Sequence, residues 1–163
     1  MGLLASKSPT PGPYRPASKG GVYVGMLEFP DIYARFNSLF ANPCNTDTKT
    51  CTVAGYTLAV QCRLTKDKSG SSTVLFVVYL IDGPWDNNVE WPFGRTINLT
   101  LVHPSNYTKD MSWSIPLDQK GMVRKPEPGR GNACACSGPV KWDHLDSVGF
   151  VVNKSLYVHI ELK

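Results

Sequence analysis

The chain has 163 residues, of which 18% are charged, and its formal net charge is +4 at pH 7. A chain of this length fits one domain with a buried core, and its basic residues form no cluster with interleaved aromatic side chains, so the composition does not indicate a nucleic-acid-binding protein. No apolar run approaches the roughly 18 residues of a membrane-spanning helix, so we expect no membrane span.

Residues 1–20 are predicted to form a disordered or linker-like tail ahead of a single domain over residues 21–163. The tail is rich in Ser, Pro, Lys and Gly and shows no hydrophobic periodicity. Such a segment buries too little apolar surface to offset the entropy that it would lose on ordering. The predicted fold therefore begins at residue 21.

The first elements of this domain are short apolar runs separated by turn residues. Residues 21–29 predict a strand that ends at Pro30. Residues 31–40 carry apolar side chains at helix-like spacing, which is enough for one or two helical turns. Residues 50–53 predict a short strand, and Gly55 predicts the turn after it.

Two long strands are predicted next. Residues 56–64 alternate between apolar and more polar side chains, which predicts a strand with one buried face. Its inward residues are Leu58, Val60, Cys62 and Leu64. A polar loop over residues 65–72 then leads into residues 73–81, which are apolar on both faces. That pattern predicts a central strand covered on each side.

The second half contains shorter strands. After the Trp91-Pro92-Phe93 corner, residues 97–101 alternate cleanly, and residues 112–115 and 156–162 predict two further strands. Residues 117–132 predict a long loop. The whole pattern, some eight strands with short turns, predicts an all-β fold, an eight-stranded antiparallel β-sandwich.

The sequence contains no convincing active site. His103, His144 and His159 lie in no recognisable nucleophile context, and surface or partly buried structural roles explain them better. The run from Gly129 to Gly131 lacks the following helix that a phosphate-binding loop needs. We therefore predict no enzyme activity and no cofactor.

The five cysteines favour a reduced compartment, because their number is odd. Cys44 and Cys51 bracket a predicted polar loop, residues 45–50, and could close a disulfide across a hairpin in an oxidising compartment. Cys134 and Cys136 are one residue closer together than the usual zinc-binding spacing, and no second pair complements them, so no metal site is predicted.

Three glycosylation sequons, at Asn98, Asn106 and Asn153, are a weak indication of a secreted protein. Asn98 lies inside a predicted strand, which is a poor acceptor site. The cytoplasm remains the predicted location.

The motifs around the Trp-Pro-Phe corner resemble a known family. Gly83-Pro84-Trp85-Asp86, then Trp91-Pro92-Phe93 and the strand 97–101 are similar to the C-terminal domain of tumour-necrosis-factor-receptor-associated factors, the TRAF-C member of the MATH (meprin and TRAF homology) fold. Further similarities span residues 21–163 in order. They are Gly55-Tyr56, Ser137-Gly138-Pro139, and the segment from Leu145 through Gly149-Phe150 and Asn153 to Leu156-Tyr157-Val158.

The resemblance implies a non-enzymatic adaptor or substrate-recognition domain. Such domains capture extended peptide segments of receptor tails or substrate proteins by adding a strand to a sheet edge, in signalling or in ubiquitin-ligase recruitment. By position in the family motif, the peptide-binding residues implied here are Gln61, Arg63, Asp67, Val77, Ser137 and Gly138.

The chain departs from the family at several of these positions. Gln61 and Arg63 stand where the family usually has Arg and Tyr, and the family's serine run aligns roughly with residues 120–122, which contain no serine. The resemblance implies a homotrimer only if a longer parent supplies a coiled coil, and otherwise a monomer. The alternatives are an extracellular, meprin-like MATH module and a carbohydrate- or lipid-binding β-sandwich.

Overall fold

The computed structural model describes residues 20–163. The predicted tail, apart from Gly20, therefore lies outside the described residues. Within the described part, no helix is long and apolar enough to cross a membrane.

Over this range, besides three single-turn 3-10 helices, the chain forms nine strands and three short α-helices. In chain order these are β1 Tyr23–Phe29, α1 Ile32–Asn37, β2 Cys44–Val53, β3 Tyr56–Lys66, β4 Ser72–Ile81, β5 Ile97–Leu101, β6 Met111–Ile115, α2 Lys120–Val123, β7 Ala135–Cys136, β8 Val140–Lys141, α3 Trp142–Val148 and β9 Leu156–Leu162.

The strands form two antiparallel sheets that face each other, which confirms the predicted sandwich. One sheet has the order β1-β9-β5-β6. The other has the order β2-β3-β4-β7, and β8 pairs with β4 beside β7. The structure has nine strands and not eight, and two of them are the short strands β7 and β8 at the last edge of this second sheet, which the sequence did not predict. We refer to it as the five-stranded sheet.

The core lies between the two sheets, where the alternation of each strand directs its apolar side chains. The four predicted inward residues of β3 are all buried, with no more than 1% of their surface exposed. They face inward residues of β5 and β9 in the other sheet, which are equally buried. Those residues are Ile97, Leu99, Leu101, Leu156, Val158, Ile160 and Leu162.

Strand β2 is longer than predicted, and it rules out the disulfide considered from the sequence. Cys44 and Cys51 lie on this one strand instead of bracketing a loop. Their Cα atoms are therefore roughly 23 Å apart at the rise of an extended chain, far beyond disulfide reach. A tight turn at Ala54 and Gly55, both with positive φ, then joins β2 to β3.

Two short helices cover one end of the sandwich. Trp142, the first residue of α3, is buried and stacks on Phe36 of α1 with ring centroids 4.4 Å apart. The sequence predicted the helical turns of α1. It did not predict α3, which makes His144 an exposed helical residue instead of a loop residue.

The Trp-Pro-Phe corner closes the other end around Tyr56. The Tyr56 ring contacts Trp91 and Phe93 edge-on, with centroids 5.2 and 4.8 Å apart. The Tyr56 hydroxyl donates to the carbonyl of Glu90 at 2.6 Å. This aromatic cluster fixes the segment that enters β5.

A substitution at Gly83 tests how closely the segment after β4 packs against Thr57. A Cβ at this position would lie 2.0 Å from Thr57 Oγ1 and 2.7 Å from Thr57 Cβ, whereas a Cβ at Gly94 would meet nothing within 4 Å. We expect Gly83→Ala to lower the free energy of unfolding by about 1–3 kcal/mol through overpacking. Gly94→Ala is the matched control and should change it little. Equal urea midpoints for both variants would contradict this account.

Candidate functional site

The outer edge of β4 is covered by β7 and β8, and a bulge separates the two. Val77 pairs with Cys136, and Val74 pairs with Val140. Two residues of β4 therefore oppose three residues of the edge, Ser137-Gly138-Pro139. An extra residue of this kind bends a strand and interrupts its ladder. The edge of the five-stranded sheet is thus short and kinked at the point where the family resemblance implied a peptide contact.

Ser137 stabilises this bulge with its side chain. Its backbone N–H donates to the Phe76 carbonyl at 2.8 Å, and its hydroxyl oxygen accepts the Phe76 N–H at 3.0 Å. The hydroxyl in turn donates to the Gly138 carbonyl at 3.2 Å. Ser137 is only 6% exposed. Its hydroxyl therefore replaces a missing backbone acceptor, and a direct contact to a partner would compete with that role.

Gly138 lets the other sheet approach the bulge. A Cβ on Gly138 would lie 3.0 Å from Nε1 of Trp113, which comes from β6. The Trp113 ring also lies 6.3 Å, centroid to centroid, from Phe76. The small residue at position 138 therefore allows this indole to close the side of the sandwich between β6 and the bulge.

Predicted residues Gln61 and Val77 are cross-strand neighbours on the outer face of the five-stranded sheet. Val77 pairs with Gln61 on one side and with Cys136 on the other, so these three residues form one row across β3, β4 and β7. Arg63 begins the next row, opposite Leu75. The Arg63 guanidinium donates to Gln61 Oε1 at 3.1 Å, which ties the two rows together.

Asp67 lies apart from these rows, in the loop after β3. Its carboxylate accepts hydrogen bonds from residues of that loop. Oδ1 accepts from the Ser69 hydroxyl at 2.6 Å and from the N–H groups of Ser69 and Ser71. The Ser69 hydroxyl bond, followed by the Ser71 N–H bond, holds the pKa of Asp67 below its ordinary value. The side chain is exposed, and the lowered pKa keeps it ionised near neutral pH.

The sequence missed two residues of this surface, Leu75 and Cys136. Both point outward beside predicted positions, and Leu75 is only half-buried because the bulge places no paired residue beside it. The apolar run 73–81 was predicted to be covered on both faces. Its inner face is buried, whereas Leu75, Tyr79 and Ile81 of its outer face keep partial exposure and Val77 of the same face is buried, with 1% of its surface exposed. The outward alternation of the run was the signal that could have identified Leu75.

The start of the β7 edge is covered by the chain itself. The Ala133 N–H donates to the carbonyl of Gly121 in α2 at 3.0 Å, and Asn132 donates its backbone N–H to Leu80 at 2.9 Å. The edge is no longer covered after Ala133, since Cys134 and Cys136 are exposed. Because hydrogen bonding alternates along an antiparallel pair, the Ser137–Phe76 pair directs the main-chain groups of Cys136 away from β4. An accessible edge therefore remains between Cys134 and the bulge.

The hydrogen bonds of His103 give it a structural role. His103 is buried, and its Nδ1 accepts the N–H groups of Ser105 and Asn106, so Nε2 carries the proton and donates to the Val148 carbonyl at 2.9 Å. This is a structural histidine, as predicted. Among residues 20–163, no three His, Cys, Asp or Glu side chains are grouped to hold a metal ion.

A cleft of about 470 Å³ lies away from the bulge, at the Trp-Pro-Phe corner. Its walls include Tyr56, Glu90, Pro92 and Arg95, and none of the six predicted binding residues lines it. The predicted site is therefore an edge with an adjoining sheet face, not this cleft.

Comparisons with known proteins agree on the type of domain. The family model described as TRAF/meprin, MATH domain matches residues 39–159. The solved structures that match include TRAF5 of Notothenia coriiceps, with a TM-score of 0.67 and 20% sequence identity over 86% of this chain and 72% of that chain. No curated protein sequence matches.

Removal of the Ser137 hydroxyl should destabilise the fold. In Ser137→Ala, the N–H of Phe76 loses its acceptor inside a buried edge, which costs about 1–3 kcal/mol of unfolding free energy. Ser114→Ala on the exposed face of β6 is the control and should be close to neutral. Chemical denaturation measures both variants, and an unchanged midpoint for Ser137→Ala would show that the bulge does not need this bond.

The cysteines should divide into two reactivity classes. Burial raises the pKa of Cys51 to about 11 and that of Cys62 to about 12, so neither forms the reactive thiolate near neutral pH. Iodoacetamide should label the exposed Cys44, Cys134 and Cys136 and spare the other two, as read by peptide mass spectrometry. Labelling in denaturant, where all five should react, is the control. Native labelling of Cys51 as fast as Cys44 would contradict its position.

Proposed function

We propose a function that starts from the family of this chain, which belongs to the TRAF/meprin MATH domain family. In this proposal the chain captures an extended segment of a partner protein along the edge from Cys134 to the bulge. The observation that carries the proposal is the accessible main chain of β7, which ends at a rigid bulge. A partner strand added there would continue the five-stranded sheet, and its backbone bonds would supply affinity.

The outer face beside this edge offers side chains for selectivity. Strand addition at β7 would place alternate side chains of the partner beside Cys136, on the face that also carries Leu75 and Arg63, whereas Val77 in the same row as Cys136 is only 1% exposed and offers little surface for contact. Leu75 offers an apolar contact, and the Arg63 guanidinium offers a positive charge. Gln61 already accepts a bond from Arg63 and would orient it. Asp67 adds a negative charge at the far end of the face.

Ser137 and Gly138 have indirect roles in this proposal. The Ser137 hydroxyl keeps the bulge in shape, and Gly138 admits Trp113 against it. In this proposal Gln61, Arg63 and Asp67 are the contact residues, the buried Val77 supports the face beneath them, and Ser137 and Gly138 form the edge.

The proposed activity is recognition without chemistry, in an adaptor or a substrate-recruiting protein of the cytoplasm. The family consists in general of protein-interaction modules, which supports a non-enzymatic role. The cytoplasmic location is supported by three exposed free thiols, Cys44, Cys134 and Cys136, because such thiols persist in a reducing compartment.

Proline substitution at the edge tests the proposal. Cys136→Pro removes an N–H that points away from β4, so the fold should tolerate it whereas an added strand loses a backbone bond. Cys136→Ser keeps the N–H and is the matched control. We expect the best binder from a displayed library of short linear peptides to bind Cys136→Pro about tenfold or more weakly than Cys136→Ser, since a lost bond leaves a partner group unpaired.

Isothermal titration calorimetry measures the affinities, and circular dichroism checks that both variants are folded. Equal affinities in two folded variants would exclude backbone pairing at β7. Failure of the library to yield any binder to the wild-type chain would overturn the proposed function itself.

A further inference from the structure

The five-stranded sheet has a second free edge, strand β2, on the side opposite β7. Within residues 20–163, β2 pairs only with β3, and it runs for ten residues from Cys44 to Val53. It is therefore much longer than the β7 edge. A long unpaired strand is a template for pairing with another chain unless its side chains prevent this.

The threonines of β2 carry the main-chain N–H and C=O groups that point outward from this edge. The two-residue turn after β2 makes Val53 and Tyr56 a hydrogen-bonded pair, so alternate residues from Val53 backwards bond to β3. The residues between them direct N–H and C=O groups outward along the edge. These residues are Thr46, Thr48, Thr50 and Thr52, and all four are exposed.

The opposite face of β2 carries charges that point inward. Asp47 and Lys49 share this face, with Asp47 Oδ2 3.9 Å from Lys49 Nζ and 3.3 Å from Arg35 Nη2 of α1. Oδ2 is buried and accepts no hydrogen bond of good geometry within the described residues, despite the nearby guanidinium. The Lys49 side chain is 37% exposed, so its ammonium can reach beyond its own strand.

These charges select one register for a second copy of β2. A twofold axis at Thr48 sets Asp47 of each copy opposite Lys49 of the other, on the same face of the joined sheet. A twofold axis at Asp47 sets the two aspartates opposite each other, and one at Lys49 sets the two lysines opposite each other. Opposite charges in directly facing positions favour strand pairing, and like charges oppose it.

The Thr48 register also satisfies the backbone. Thr48 then faces Thr48 of the other copy, and Thr46 faces Thr50, all of which have outward N–H and C=O groups. The Asp47–Lys49 pairs fall between these bonded pairs, in the positions where facing side chains are closest. Inward charges protect an edge against general strand addition, and the Thr48 register is the one in which Asp47 and Lys49 of each copy both face the opposite charge.

We propose that two copies of this chain associate antiparallel through β2, with the twofold axis at Thr48 and two reciprocal Asp47–Lys49 contacts. The association differs from the monomer that the sequence predicted in the absence of a coiled coil. It leaves the β7 edge of each copy free at the far side of the joined sheet. A dimer would therefore present two partner-binding edges, which raises avidity for partners with repeated motifs.

Charge reversal tests the register. Sedimentation equilibrium of the full chain under reducing conditions, at concentrations up to about 1 mM, should show a monomer–dimer equilibrium in the range of weak interfaces. Lys49→Glu places two negative charges opposite each other, and Asp47→Lys places two positive charges opposite each other. Each variant alone should dimerise about tenfold or more weakly than the wild type.

A one-to-one mixture of the two variants restores opposite charges at both contacts and should form a heterodimer. This recovery separates the register from any loss of stability in Asp47→Lys, whose partner Arg35 would lose its carboxylate. Weak self-association with recovery in the mixture supports the proposal. A wild-type chain that stays monomeric throughout, or variants that dimerise as tightly as it does, would overturn it.

A backbone test uses Thr48, the residue at the axis. Thr48→Pro removes an outward N–H without breaking the β3 ladder, and Thr48→Ala retains that N–H as the matched control. Thr48→Pro should abolish the dimer while circular dichroism shows a folded chain, and Thr48→Ala should still dimerise. Equal dimerisation of both folded variants would place any dimer contact elsewhere. Peptide binding at β7 should survive in both, so this outcome is independent of the proposed function.

Discussion

The register of the β2-β3-β4 ladder is the constraint on which the other features depend. Side chains alternate strictly along each strand, so a slip by one residue would exchange the buried face with the exposed face. The inward set of β3, from Leu58 to Leu64, cannot be exposed without losing most of the core of this sheet. With that register fixed, Gln61 and Arg63 must lie on the outer face, beside Val77 and Leu75. The candidate surface is therefore a consequence of how the core is buried.

The bulge at Ser137 shows how a local irregularity is stabilised inside this regular frame. A buried N–H without an acceptor would cost about as much as a lost hydrogen bond, and the extra residue at the bulge removes the regular acceptor of Phe76. The hydroxyl of Ser137 supplies it instead. Trp113 can then close over Gly138 because no side chain is present there. The main-chain groups of Phe76 are thus both hydrogen-bonded, and the bulge is shaped by three residues from two sheets.

The elements that could be predicted from the sequence are those in which apolar and polar residues alternate regularly. Elements without that alternation were missed. Strand β3 was predicted from its alternation of apolar and polar residues. Most of β2 was missed because threonines on one face and Asn45, Asp47 and Lys49 on the other give no such contrast. Helix α3 was missed because it is one short helix, although the i, i+3 spacing of Trp142 and Leu145, both buried, was a usable signal.

The candidate site could be predicted only in part, for a physical reason. The family resemblance indicated positions along single strands, and these positions do meet on one face because strand register brings Gln61 and Val77 together. The engagement of the Ser137 hydroxyl depends on contact with Phe76, which is far away in the sequence, and so no local pattern reveals it. The closure of Asp67 on its own loop, in contrast, is a local arrangement that the Asp-x-Ser spacing could have suggested.

The two edges of the five-stranded sheet differ in what they permit a neighbouring chain to do. At β7 the restriction is geometric, because α2 covers Ala133 at one end and the bulge with Pro139, which has no N–H, ends regular pairing at the other. At β2 the restriction is electrostatic, because inward charges penalise any strand that does not oppose them with the reverse pattern. A sandwich with two long, open edges of one sheet would be prone to uncontrolled association. Different restrictions at the two edges allow each to be selective without excluding pairing altogether, and because β3 and β4 separate them, binding at one edge does not require any change at the other.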